Sequence, residues 1–407
     1  MDRAAIPSPH PVLRSNVRHL DFDVFWYGVL AGSTLAFLSV YAAHLGASGF
    51  QVGLLTAGPA VVNLAFSMPA ARWLNGREIF RATFVSSFWH RIAYLVLLPL
   101  PWLLADAYQV WALVALVAVM SVPGTLLAIA FNAMFAEAVP AEWRGQVVGR
   151  RNALVAVSLT ATSIACAVLL EAVDFPLNYD IVFALGAAGA LLSTYHLGRL
   201  RPPSHPEPGP ESAIAAEKPR LAILRADLLR GPFGPFLAAY LLFYAVQYVP
   251  IPIFPLFWVQ ELQLSDGAIS LGNALFYAGM ILASLRLGAW SATHGHRRLL
   301  VAGALLYGSY PLLNGLARGV PLFWIASALG GAFWGVMNAA LLNRLLERVP
   351  ADDRPAHMAL HNIALNLGIL LGSLSGPALA GWVGLRSALF AGAALRLLSG
   401  IVFALLA

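Results

Sequence analysis

Val139-Pro140-Ala141-Glu142-Trp143-Arg144 returns later in the chain as Val349-Pro350-Ala351-Asp352-Asp353-Arg354. The offset, 349 − 139 = 210, is about half of the 407 residues. Each copy follows a long apolar stretch that ends in an acid, Glu137 or Glu347. Each is followed by another apolar stretch, with an asparagine eight residues past the arginine, Asn152 or Asn362. Nearer the start of each half, Leu45-Gly46-Ala47-Ser48 and Leu262-Gln263-Leu264-Ser265 precede segments that end at Trp73 and Trp290. Repetition on this scale marks a unit used twice, and where the unit is built of membrane helices the site lies between the copies.

The rest of the chain has the composition such helices need. It is 59% hydrophobic and only 11% charged, with a mean hydropathy of +0.74. A soluble protein carries more charge than this on its surface. Apolar stretches of ~20 residues, the length that crosses ~30 Å of hydrocarbon, occur twelve times. In the first half they are 21–43, 50–72, 79–101, 107–136, 145–170 and 177–198. In the second they are 232–259, 267–291, 297–316, 320–346, 356–382 and 385–406. The fold expected is an all-α integral membrane protein with twelve transmembrane helices in two pseudo-symmetric six-helix bundles.

Basic residues set the orientation. Of the 25 lysines and arginines, Arg318 and Arg386 fall in loops on the outer side, and Arg91 and Arg396 lie inside spans. The others occupy the N-terminal tail, helix ends, or the loops after spans 2, 4, 6, 8 and 10. Basic loops stay on the cytoplasmic side, so both termini are expected inside. The net charge of +6 is therefore topological. No basic cluster stands on a soluble domain, so a nucleic-acid partner is not expected. The first apolar run has full span length and no short-core cleavage pattern, which reads as an uncleaved helix. The single cysteine, Cys166, has no partner for a disulfide or a metal and reads as a packing residue.

Between the halves lies Arg201-Pro202-Pro203-Ser204-His205-Pro206-Glu207-Pro208-Gly209-Pro210, too rich in proline for a helix or a sheet. Leu221, Leu224 and Leu228 then share one helical face, either a short amphipathic helix on the membrane surface or an extension of the seventh span. The organisation expected is a cytoplasmic tail (1–20), a six-helix bundle (21–198), a cytoplasmic linker (199–231) and a second bundle (232–407).

These features together resemble the major facilitator superfamily over essentially the whole chain. That family commonly carries a glycine-and-basic motif after the second helix of each half. Gly288-Ala289-Trp290-Ser291-Ala292-Thr293-His294-Gly295-His296-Arg297-Arg298 keeps its glycines and closing basic pair, with Ala292 at the acidic position and Thr293 at the next basic one. In the first half, Ala71-Arg72-Trp73-Leu74-Asn75-Gly76-Arg77-Glu78 has Asn75 at the acidic position. The repeated Val-Pro-Ala boxes resemble the turn between the fourth and fifth helices of each half. Pro140 and Pro350 end one helix, and the acids after them suit the start of the next. Arg144 and Arg354, near Glu137 and Glu347, read either as caps and topology anchors or as a latch between the bundles when the site faces outward. Arg297 and Arg298 join this gating set.

The resemblance implies that helices 1, 4, 7 and 10 line a central cavity. Polar residues recur on one face of each: Tyr27, Thr34 and Tyr41; Ser121, Thr125 and Asn132; Tyr240, Tyr244 and Gln247; Ser327, Trp334 and Asn338. Such groups turn inward because lipid cannot satisfy them. Inward placement serves packing as well as binding. The contact candidates are Tyr27, Thr34, Asn132, Tyr244, Gln247, Trp334, Asn338 and Arg91. Pro250, Pro252 and Pro255 interrupt span 7 near its outer end, either as a static kink or as an outer gate that bends at Pro252.

Arg91 lies twelve residues from Ile79, roughly 18 Å into span 3. At that depth an arginine costs ~2.5–3.5 kcal/mol and needs a compensating contact. It meets either an anionic solute or the polar groups of neighbouring helices. Arg396, about as deep in span 12, raises the same question. The 19 acidic residues all fall in tails, loops or near span ends, so no carboxylate is expected at mid-membrane depth. His357 and His361 share a face of span 11 near its inner end and read as gate packing.

The function expected is secondary or facilitative transport of a small solute by alternating access, the solute neutral, amphiphilic or weakly anionic. A transporter-derived receptor or scaffold is the alternative. The chain has no phosphate loop, zinc spacing or nucleophile elbow, so no enzyme and no cofactor are expected. The resemblance implies a monomer in a plasma membrane, a bacterial inner membrane, with the lipid bilayer and a solute as its partners.

Overall fold

The computed structural model describes residues 11–202, 226–349 and 353–406, and all regular structure within them is helical. The proline-rich stretch from Pro203 onward, Leu221 and Leu224, residues 1–10, and Pro350 to Asp352 of the second box lie outside the described residues.

The first half begins with α1, which runs Pro11–Leu30, passes through a π-turn at Ala31–Leu35 and continues Ala36–His44. It starts at Pro11 rather than at 21: proline fits the first turn of a helix, and Asn16 ties this stretch to the Arg201 backbone. There follow α2 (Gly49–Leu74), α3 (Ile79–Ile92, then a tight turn at Ala93–Leu97 and a last piece, Leu100–Leu103), α4 (Asp106–Ala138), α5 (Ala141–Ala172) and α6 (Leu177–Leu197). The second half opens with α7 (Phe233–Tyr248), which breaks and resumes at Ile253–Leu256 and Phe257–Glu261. Asp266–Tyr307 forms one helical run, split at Gly295 into α8 (266–294) and α9 (296–307, continued by Ser309–Leu316). Gly295 has φ +74°, a conformation that costs glycine nothing and turns the chain between the two helices. The last three are α10 (Val320–Arg348), α11 (Arg354–Val383) and α12 (Leu385–Leu406). Among the described residues eleven of these helices, the broken α7 included, are long and apolar enough to cross a membrane. The interrupted α3 makes the twelfth.

Neighbour relations repeat between the halves. α1 packs on α5 and α6, α2 on α4, and α3 on α4 and α6. In the same way α7 packs on α11 and α12, α8 on α10, and α9 on α10 and α12. Three further pairings join the halves: α2 with α11, α5 with α8, and the last piece of α1 with the last pieces of α7. With lipid on the outside, close backbone approach rather than water exclusion holds such helices together. Gly53 permits this on α2: a Cβ there would lie 2.5 Å from the Ser373 carbonyl oxygen of α11.

Candidate functional site

The loops after α1, α3, α5, α7, α9 and α11 define one end of the molecule. Those after α2, α4, α6, α8 and α10 define the other, which carries most of the arginines and is called the basic end. At the opposite end the halves meet on a single carboxylate. Asp266 starts α8, and its Oδ1 lies 2.7 Å from His44 Nε2 at the end of α1 while accepting a 2.7 Å hydrogen bond from the Tyr179 hydroxyl of α6. One turn further in, Ser270 Oγ donates to the Ser163 carbonyl of α5 (2.6 Å). On the other flank, Gly49 and Gly53 of α2 face Pro377 and Ser373 of α11. Toward the basic end Leu74 of α2 packs with Ala82 of α3 and Ala130 of α4, while Phe66, Met68 and Trp73 on the same helix are exposed.

The expected lining residues lie in different surroundings. Tyr27, partly exposed on α1, has its ring 5.9 Å from the Arg91 guanidinium. Tyr244 on α7 sits 2.9 Å from His361 Nε2 on α11, and Gln247, one turn on, is buried with its Oε1 unbonded among the described residues. Trp334 of α10 packs 5.4 Å from Tyr307 of α9. Asn132 and Asn338 are exposed on α4 and α10. Thr34 is buried within the α1 π-turn, in the room left by Gly186. Other members of the polar stripes are spent on the scaffold. Ser121 and Thr125 donate to carbonyls of their own helix, Tyr240 donates to the Leu341 carbonyl, and Tyr41 donates to Gln109.

Arg91 is 5% exposed and belongs to a buried charge cluster inside the first half. Its Nη1 donates to Ser193 Oγ of α6 and lies 3.6 Å from Asp23 Oδ1 of α1. Ser193 in turn donates to Asp23 Oδ1 (2.6 Å), and Arg151 of α5 binds Asp23 Oδ2 (3.0 Å). Asp23 meets Ser193 in the last turn or so of α6, so this carboxylate lies near a span end and not at mid-membrane depth. Asp23 is only 3% exposed, and because α1 starts at Pro11 it stands roughly 18 Å into the helix. The depth of Arg91 does change. Ser193 is in the last turn or so of α6, so the guanidinium reaches toward the basic end rather than resting at mid-span. The signal was present in the sequence: Asp21 and Asp23 precede an apolar run without any helix-breaking residue between.

Arg396 is 1% exposed at the middle of α12, and no ion pair joins it among the described residues. Its Nη2 donates to the Gln247 carbonyl (2.8 Å), its Nη1 approaches the Tyr307 carbonyl (3.5 Å), and its charge lies 4.4 Å from the Tyr307 ring. Both carbonyls sit beside proline breaks. Gln247 is in the last turn of a helix that stops before Pro250, and the residue four past Tyr307 is Pro311, which has no N–H.

At the basic end, Arg144 donates to the Val139 (3.0 Å) and Ala136 (2.6 Å) carbonyls, closing the end of α4. Glu137 is exposed. Glu347 accepts from Arg344 (3.0 Å) and lies 3.9 Å from His296, all in the second half. Arg354 begins α11, and its side chain is outside the described residues. Arg297 donates to the Ala404 carbonyl (2.8 Å), and Arg298 beside it is exposed. Pro252 stands where α7 resumes. His357 packs edge-on against Phe233 at 4.6 Å and bonds the Asp353 carbonyl.

The family described as the Major Facilitator Superfamily matches residues 24–246 and 236–407. Among characterised sequences, multidrug resistance protein 2 of Bacillus subtilis (strain 168) is 24% identical over 151 residues, and the match spans 37% of either chain. Among solved structures, a bacterial homologue of the iron transporter ferroportin in an inward-facing state is similar with a TM-score of 0.73, 12% identity, and coverage of 98% of this chain and 99% of that one. A nucleoside transporter, NupG, gives 0.70 at 12% identity over 96% and 98%. The xylose transporter XylE of E. coli, partially occluded and inward-open, gives 0.69 at 14% identity over 96% and 97%. At these identities the structures speak for the fold.

Proposed function

The chain belongs to the major facilitator superfamily, and from that premise we propose a carrier whose halves rock about a solute site between α1, α4, α7 and α10. The moving units are residues 21–198 and 232–407, preceded by the tail 1–20 and joined by the tether 199–231. The basic end faces the cytoplasm by the positive-inside bias, with both termini there, and the membrane is the bacterial inner membrane. The observation that carries this reading is the one-sided closure. The halves join at the non-basic end through Asp266, His44 and Tyr179, through Ser270 and Ser163, and through Gly53 and Ser373, while toward the basic end Phe66, Met68 and Trp73 of α2 are exposed. In this reading the Arg144 and Arg354 boxes form their latch in the opposite state.

Tyr27, Asn132, Tyr244, Gln247, Trp334 and Asn338 supply aromatic faces and amides to the solute, whereas Thr34, expected among them, is packed between α1 and α6. Arg91 already holds a carboxylate and a hydroxyl, which favours a neutral or amphiphilic solute over an anion. The name of the Bacillus subtilis relative, multidrug resistance protein 2, goes with the same chemistry. The test is saturable flux in proteoliposomes for solutes that raise the melting temperature of the purified protein. Gln247→Ala and Asn338→Ala should each raise KM about tenfold, the effect of losing ~1.4 kcal/mol of binding. A solute that binds tightly without crossing would replace the carrier by the receptor reading.

A further inference from the structure

A groove of about 410 Å³ opens on the second half between the start of α9 and the end of α12, away from the solute site. Arg297 and Arg298 stand at its mouth, and Val301, Ala302, Leu305 and Ala404 line the rest. We propose that it is a binding site for one anionic glycerophospholipid. Its lining is ordered as such a lipid is. Residues 297, 301 and 305 recur every fourth position on one face of α9, with 298 and 302 beside them, so one helix face runs from two guanidiniums to an apolar strip over about 12 Å. Ala302 and Ala404 are the small residues that leave the groove its depth.

Three features favour a phosphate at the mouth. Gly295 is non-helical, so α9 restarts there, and its first-turn N–H groups and dipole favour an anion. Arg297 is held against the groove by its bond to the Ala404 carbonyl in the last turn of α12. Arg298 has neither an ion pair nor a hydrogen bond among the described residues. Both arginines are exposed where two membrane-spanning helices end, the level at which lipid phosphates lie. The apolar strip lies on spans that face lipid, so an acyl chain enters without leaving the bilayer.

The full-length protein would be extracted from vesicles of phosphatidylcholine containing one part in five phosphatidylglycerol, and the lipid that stays bound measured by native mass spectrometry. The expected result is one retained phosphatidylglycerol, with affinity falling about fivefold for each arginine in Arg298→Gln and in the Arg297→Gln, Arg298→Gln pair. Ala302→Trp keeps both charges and fills the groove, and it should lose the same lipid. Melting curves in zwitterionic detergent identify variants that fold as the parent does. Retention unchanged in the arginine pair overturns the proposal. So does an arginine-dependent site that Ala302→Trp leaves intact and inorganic phosphate displaces, which would be a surface anion site without a lipid.

Discussion

Asp23 sits between two guanidiniums, and its two oxygens are engaged by residues from three other helices. Removing one partner of a buried pair leaves the other uncompensated, which costs more than the pair contributes. Arg91→Gln should therefore destabilise the protein, by ~1.5–3 kcal/mol as for a lost hydrogen bond to a charged group. The loss stays in that range because Arg151 still holds Asp23. Adding Asp23→Asn should recover part of it, a coupling that a double-mutant cycle of thermal stabilities measures. Additive losses would mean that the two side chains act independently. The presence of Arg91 in a span was legible in the sequence. The pairing was not, because nothing in the sequence brings Asp23 of α1 beside Arg91 of α3, and hydropathy starts the first span at 21 whereas the helix begins at Pro11.

Helix breaks are the second level of organisation. α1 and α7 open the two halves, and each is interrupted near the same depth, α1 by a π-turn at Ala31–Leu35 and α7 by Pro250 and Pro252. The proline break was readable because proline removes an N–H wherever it stands. The π-turn carries no such mark; within it Thr34 packs against Gly186. Membrane helices tolerate breaks only where a neighbour satisfies the freed carbonyls. Arg396 does this for Gln247 and approaches Tyr307 as well. Arg396→Met should then lower the melting temperature, through ~1–3 kcal/mol of unsatisfied carbonyl. Pro311→Ala in that background should restore part of it, by giving Tyr307 its own helical donor. Failure of Pro311→Ala to rescue would assign the loss to the Tyr307 ring or to packing instead. At the α2–α11 crossing, Gly53→Val places methyl groups against the Ser373 carbonyl, so the variant should push the two helices apart at the non-basic end.

At the scale of the whole molecule, duplication was legible from the Val-Pro-Ala boxes, and the repeated neighbour pattern of α1–α6 and α7–α12 agrees with it. The contact joining the halves at Asp266 was not legible, because His44, Tyr179 and Asp266 are far apart in sequence and each is unremarkable alone. That contact is also where the state of the carrier should be controllable. Asp266→Asn weakens both of its partners' bonds and should raise the accessibility of a cysteine at Ser270 to a membrane-impermeant thiol reagent, on a Cys166→Ala background. Unchanged labelling would reduce the Asp266 contact to a static tie.

The central claim is that closing one end opens the other, and spin-label distances test it without knowledge of the solute. One pair of labels, at Asn75 and Thr293, spans the halves at the basic end, and a second, at Asp174 and Arg318, spans them at the opposite end. Distances would be measured by pulsed electron resonance in lipid nanodiscs, for the parent and for Gly53→Val. Alternating access predicts that the Gly53→Val distribution lengthens between 174 and 318 while it shortens between 75 and 293. Lengthening at the first pair with no change at the second would contradict it.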